Sequence, residues 1–119
     1  MEIHVTARKF RARKEVRDDA IASVKKLGKY YDGILRTDVI LSYERSSQSV
    51  KVVEINLHVH GAVLAAKERS EEFAKSIDLA LGKIERQLEK YKTKIHLKNR
   101  KTLRKVKEGA AEEVSGENE

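Results

Sequence analysis

The sequence predicts a two-layer α+β domain, a four-stranded mixed sheet with both helices on one of its faces. Three observations predict it. The elements run strand, helix, three strands, helix. The first three strands alternate apolar and polar residues, as a half-buried sheet requires. Each helix carries one apolar stripe, so both stripes are satisfied by the same sheet face. A helical crossover makes the first two strands parallel, and the short turns that follow make the last three antiparallel.

Residues 1–8 alternate Ile3 and Val5 against His4, Thr6 and Arg8, a strand with one wet face, and Phe10 is expected to tuck into the core after it. Residues 14–31 read as a helix with Val16, Ala20, Val24, Leu27 and Tyr31 on one side and Lys25, Lys26 and Lys29 on another. Its start is poorly signalled, because Arg13 stands where Ser, Thr or Asp would cap it, and Asp32-Gly33 ends it. Residues 37–44 form the second strand, with Val39, Leu41 and Tyr43 in alternation, and Arg45-Ser46-Ser47-Gln48 is turn-like. Residues 50–60 form the third, where Val53, Ile55, Leu57 and Val59 alternate with Glu54, Asn56, His58 and His60. Gly61 marks a tight turn into a last strand over residues 62–68.

The longest element is the helix of residues 70–95. Phe73, Ile77, Leu81, Ile84, Leu88, Tyr91 and Ile95 recur at steps of three and four. Lys75, Lys83, Arg86, Lys90 and Lys94 lie on roughly the opposite side, with Asp78, Glu85 and Glu89 along one flank. Ser70 is expected to cap the N-terminus, with Glu71 and Glu72 favoured by the helix dipole. Beyond residue 96 the pattern decays, so the chain reads as a domain over residues 1–96 and a flexible tail, first basic then acidic, over residues 97–119.

Charge narrows the function. The formal net charge is +7, but residues 108–119 hold five glutamates and no lysine or arginine. Residues 1–107 therefore carry seven plus five, or +12. A basic domain points to a polyanionic partner. An anionic membrane is disfavoured because the apolar helix faces are committed to a core, and no apolar run approaches a membrane span. The chain contains no cysteine, which excludes disulfides and thiolate metal sites and fits a reducing, cytoplasmic setting.

Catalysis finds no support. Asp18-Asp19, Glu71-Glu72 and Glu112-Glu113 are adjacent pairs that diverge on a helix, and no phosphate-cradling glycine loop or nucleophile triad is present. His58 and His60 are expected on one sheet face with His4 nearby, but a fourth metal ligand is missing. The chain reads as a protein that is not an enzyme and has no metal, cofactor or small-molecule substrate. The sets Lys25, Lys26, Lys29 and Lys83, Arg86, Lys90, Lys94 instead suggest a basic surface for phosphates, with little sequence readout. Tyr31, Tyr43 and Tyr91 fall at core-periodic positions, so shape and phosphate recognition of folded RNA suits the chain better than base stacking.

Residues 1–95 resemble the family of ribosome hibernation promoting factors and ribosome-associated inhibitor A, also called sigma-54 modulation or ribosomal subunit interface proteins. The resemblance rests most on Ile77-Asp78-Leu79-Ala80 and on residues 83–94 (KIERQLEKYKTK). Supporting pieces are Ile3-His4-Val5-Thr6-Ala7-Arg8, Lys26-Leu27-Gly28-Lys29-Tyr30, Val39-Ile40-Leu41-Ser42 and Gly61-Ala62-Val63-Leu64-Ala65-Ala66. It implies a β-α-β-β-β-α fold similar to double-stranded RNA-binding domains. It also implies a monomer that binds the small ribosomal subunit near the decoding centre, blocks messenger and transfer RNA, and inhibits translation by idle ribosomes under stress. RNA-binding roles then carry over to Arg8, Lys25, Lys26, Lys29, Lys83, Arg86, Lys90, Lys92 and Lys94. Two residues depart from the family pattern: Ala74, where a tyrosine is usual, and Arg13, where a small polar cap is usual. The Gly/Glu/Ser ending leaves open a short family member or a piece cut in the linker of a long one. A protein-binding regulator of a sigma factor or RNA polymerase is the alternative.

Overall fold

The sheet is built in the order β1-β2-β3-β4 from Glu2–Ala7 (β1), Ile34–Glu44 (β2), Ser47–Val59 (β3) and Ala62–Ser70 (β4). Helix α1, Lys14–Tyr30, joins β1 to β2, and α2, Phe73–Gly109, follows β4. The computed structural model describes the backbone of residues 1–44 and 47–109 and the side chains of residues 1–44 and 49–97. Of the turn expected over residues 45–48, residues 47 and 48 belong to β3, and residues 45 and 46, like the acidic stretch from residue 110 onward, lie outside the described residues. The chain divides into two units, Met1–Arg86 and Gln87–Glu119.

In the first unit, β1 pairs with β2 in parallel, Val5 opposite Val39. The β2–β3 and β3–β4 pairs are antiparallel, with Val39 opposite Ile55 and Leu57 opposite Leu64. This is the α+β architecture that the element order predicts. One sheet face carries Thr37, Val39, Leu41, Val53, Ile55 and Leu57, all fully buried. Helix α1 and the part of α2 that belongs to this unit, residues 73–86, lie against it. Met1 touches α1 and the sheet together: its Cε lies 3.1 Å from where a Cβ on Gly28 would stand, and its sulfur accepts the Thr37 hydroxyl at 3.1 Å. Helix α1 buries Ala20, Val24 and Leu27, and the Arg17 guanidinium donates to the Val5 carbonyl at 3.1 Å. At the start of α2, Phe73 meets Tyr43 edge-on at 5.6 Å, and Phe10 stacks on Phe73 at 5.6 Å and meets Tyr43 at 4.9 Å. Phe10 thus closes the end of the core, as the sequence suggests.

The start of α2 differs from expectation. Ser70 ends β4, and the helix begins three residues later at Phe73. Glu72 supplies the first helical acceptor, its carbonyl taking the Ser76 N–H at 3.0 Å. The Ser70 hydroxyl accepts the Glu72 N–H at 3.2 Å, and no acidic residue falls in the first turn. The reason lies in the third dimension. Ser76 is fully buried, and its hydroxyl donates to the Lys51 carbonyl at 2.8 Å while lying 2.7 Å from the Ser70 hydroxyl. The helix entrance is therefore set by β3 and not by a local cap.

The second unit contains the rest of α2. Leu88 is fully buried, and Tyr91 and Ile95 are half-buried. The helix continues past residue 96 to Gly109. The apolar period fades there, but residues 96–108 contain no glycine or proline to stop a helix, and their Lys, Arg, Leu and Glu all favour one.

Candidate nucleic-acid interface

Lys25, Lys26 and Lys29 are exposed on α1. They sit there because Val24 and Leu27 take the buried positions of the same turns, and residues 25, 26 and 29 fall on the far side at 100° per residue. Among the described residues none of the three is in an ion pair. On α2, Lys83 and Arg86 are exposed one turn apart, flanking the buried Ile84. Helix α1 and residues 73–86 of α2 cover the same sheet face, so these two sets lie on the outer side of the helices in the first unit. Lys83 is tied down: its ammonium pairs with Glu68 of β4, whose side chain is 21% exposed. Arg86 makes no ion pair among the described residues, and is the freer of the two. Arg8 follows β1 at the sheet edge, where its N–H extends the ladder to the Leu41 carbonyl at 2.9 Å, leaving its side chain exposed.

In the second unit Lys90 and Lys94 are exposed and four apart, hence on one face of α2. Lys92 is half-buried and falls on another side of the helix, so these three do not form one row.

A further group of cations lies off the helix faces. The segment between β1 and α1, residues 8–13, holds Arg8, Lys9, Arg11 and Arg13, all exposed. Their density in the sequence is the signal that was available, but the segment has no periodicity to draw attention to it.

The opposite face of the sheet is polar. Asp38 accepts hydrogen bonds from two of the three guanidinium nitrogens of Arg36, Nε at 2.9 Å and Nη2 at 3.2 Å, and pairs with His58 at 3.1 Å. The Arg36 hydrogen bonds, and secondarily that of His58, hold the Asp38 carboxyl below its ordinary range. The Arg36 guanidinium is raised in turn, chiefly by its hydrogen bonds to Asp38. Glu2 lies 3.1 Å from His4, whose hydrogen bond lowers the carboxyl. His4 and His58 thus each face a carboxylate, while His60 falls in the turn after β3. Among the described residues no three His, Cys, Asp or Glu side chains gather to hold a metal ion. No helix in the described residues is long and apolar enough to cross a membrane.

Fold and surface together define a class: a small α+β domain with cations on the outer side of its helical layer. A family profile described as sigma 54 modulation protein / S30EA ribosomal protein matches residues 3–96, and the chain belongs to that family. Among its relatives, the ribosome hibernation promoting factor of Azotobacter vinelandii is 30% identical over 94 residues, covering 79% of this chain and 85% of the relative. The factor of the same name from Klebsiella oxytoca is 28% identical over 95 residues, covering 80% and 97%. A solved ribosomal subunit interface protein from Coxiella burnetii superposes with a TM-score of 0.71 at 25% identity, over 78% of this chain and 99% of that one.

Proposed function

We propose that this protein binds the small ribosomal subunit through ribosomal RNA phosphates and inhibits translation by occupying the decoding region of idle ribosomes. The family supports a ribosome-associated binding protein that is not an enzyme: its relatives are named ribosome hibernation promoting factors, and its structural neighbour a ribosomal subunit interface protein. The observation that carries the finer reading is the set of exposed cations Lys25, Lys26, Lys29 and Arg86, which among the described residues have no ion-pair partner of their own. Such groups release counterions from a nucleic acid backbone, and each phosphate neutralised adds about 0.7 to 0.9 to the slope of affinity against salt on logarithmic axes. The action is steric. A monomer held in the cytoplasm on ribosomal RNA blocks the path of messenger and transfer RNA without reading a base sequence.

The test is co-sedimentation with separated ribosomal subunits over a salt series. The wild type is expected on the small subunit, with affinity falling steeply as salt rises. Reversing charge at Lys83, Arg86 and Lys90 should abolish binding while circular dichroism stays unchanged. Full binding by that variant would overturn the assigned surface. The description of the family as sigma 54 modulation proteins favours one second reading, a regulator that binds a sigma factor or RNA polymerase. Its sign is a protein partner that survives nuclease and high salt.

A further inference from the structure

We infer that the segment joining β1 to α1, residues 8–13, is a separate phosphate-binding strip that lies along the backbone of folded RNA. Four of its six residues are cationic and none is acidic. All four cations are exposed, and among the described residues none is in an ion pair. The two remaining residues are anchors. Phe10 is fixed by Tyr43 at 4.9 Å and Phe73 at 5.6 Å, and Ala12 is buried. Past the turn at Lys9, the anchors at positions 10 and 12 alternate with the exposed cations at 11 and 13, so this part of the segment has an anchored edge and a cationic edge. Spread over six residues on a chain turned at the left-handed Lys9, its cations suit several phosphates of a sugar-phosphate backbone better than one compact anion. Its one aromatic ring is engaged in the core, so the strip offers charge without base stacking. Because the anchors hold it in place, little ordering is left to be done on binding.

Two local features cost stability, and both fall on cations of this strip. Lys9 has φ 64°, the left-handed conformation that glycine adopts at no steric cost. Arg13 is the N-cap of α1 and makes no side-chain capping bond, and its charge faces the positive end of the helix dipole. A sequence tuned only for stability would place Gly at 9 and Asp or Ser at 13. Backbone strain and a forgone cap in one cationic segment are the pattern of a binding element.

The inference rests on the ribosomal reading only for the identity of the RNA, and the experiment separates the two. The wild type and a Lys9→Gly, Arg11→Ser, Arg13→Ser variant are titrated against purified small subunits and against a plain RNA duplex, over a salt series. The variant should lower the salt slope by about 2 to 3 on both targets. Its melting temperature should equal or exceed the wild type's, since two local costs are removed. Arg11→Ser alone, at an exposed position without strain, should lower the slope by about 1. Unchanged affinity and slope on both targets overturns the inference. Wild-type binding to subunits with no loss in either variant overturns the strip and leaves the ribosomal reading standing. Strip-dependent binding to the duplex with no subunit binding does the reverse. Failure of the wild type to bind either target overturns the strip as an RNA element.

Discussion

Asp38 shows how one side chain makes stability depend on pH. It sits at the centre of the open sheet face, its side chain 19% exposed, accepting from Arg36 and meeting His58. These partners stabilise the carboxylate, so its folded value lies below its ordinary 3.8. A carboxyl depressed on folding contributes stability above its unfolded pKa and loses it as the pH falls through the folded one. The contribution is therefore present at about pH 4 and above and fades below it. Asp38→Asn should be less stable than wild type near neutrality, with the two converging in strong acid, as read by urea unfolding across that range. A gap independent of pH would show that the loss has another origin. Gly61 and Lys9 make a second residue-scale contrast. Both have positive φ, 80° and 64°, yet only one is glycine. The Gly61 turn was legible because glycine after an alternating run marks a reversal. The strain at Lys9 was not, because nothing in a lysine announces a left-handed backbone.

At the scale of elements, periodicity identifies helices and strands well and their ends poorly. The stripe of Val16, Ala20, Val24 and Leu27 located α1, and the structure buries Ala20, Val24 and Leu27. Its start lacks a capping bond, as Arg13 in the sequence implied. Arg13→Asp should supply both the cap and a charge that suits the dipole. Stabilisation of about 1 kcal/mol is expected in chemical denaturation, alongside weaker RNA binding. No gain in stability would mean the N-terminal turn is held by contacts outside the helix. The other helix teaches the converse. Ser70 looks like a cap in sequence, but β4 keeps it as its last residue, and Ser76 is drawn to the Lys51 carbonyl instead. Strand pairing outcompetes a local capping bond, because each ladder residue satisfies backbone groups that burial would otherwise leave unpaired.

At the scale of the molecule, the core of the first unit joins elements far apart in sequence. Val39, Leu41, Ile55, Leu57, Ile77 and Ile84 are fully buried together with Val24. Ile84 is fully buried in that packing, so Ile84→Ala should cost about 2 to 5 kcal/mol in urea unfolding. Leu79 lies on the same helix but is 43% exposed, and Leu79→Ala should cost within about 1 kcal/mol. Equal losses would mean that the two faces of α2 are wrongly assigned. The charge of the whole molecule works by a different rule. A net +7 is a property of composition alone, but its usefulness depends on which cations are left unpaired.

The sequence by itself determined the number, type and order of the elements, the faces they bury and the basic character of the surface. Those properties follow from local spacing: a period of two or of about 3.6 states which side of an element is apolar, wherever that element is placed. Tertiary structure alone decided which charges are free. Lys83 pairs with Glu68, fifteen residues before it, because β4 brings that carboxylate to the helix, whereas the equally basic Arg86 makes no ion pair among the described residues. It also decided that Ala12 turns inward beside the expected Phe10 and leaves Lys9, Arg11 and Arg13 on the outside. Ion pairs and anchors form between residues distant in sequence, and no local pattern encodes the distance between them.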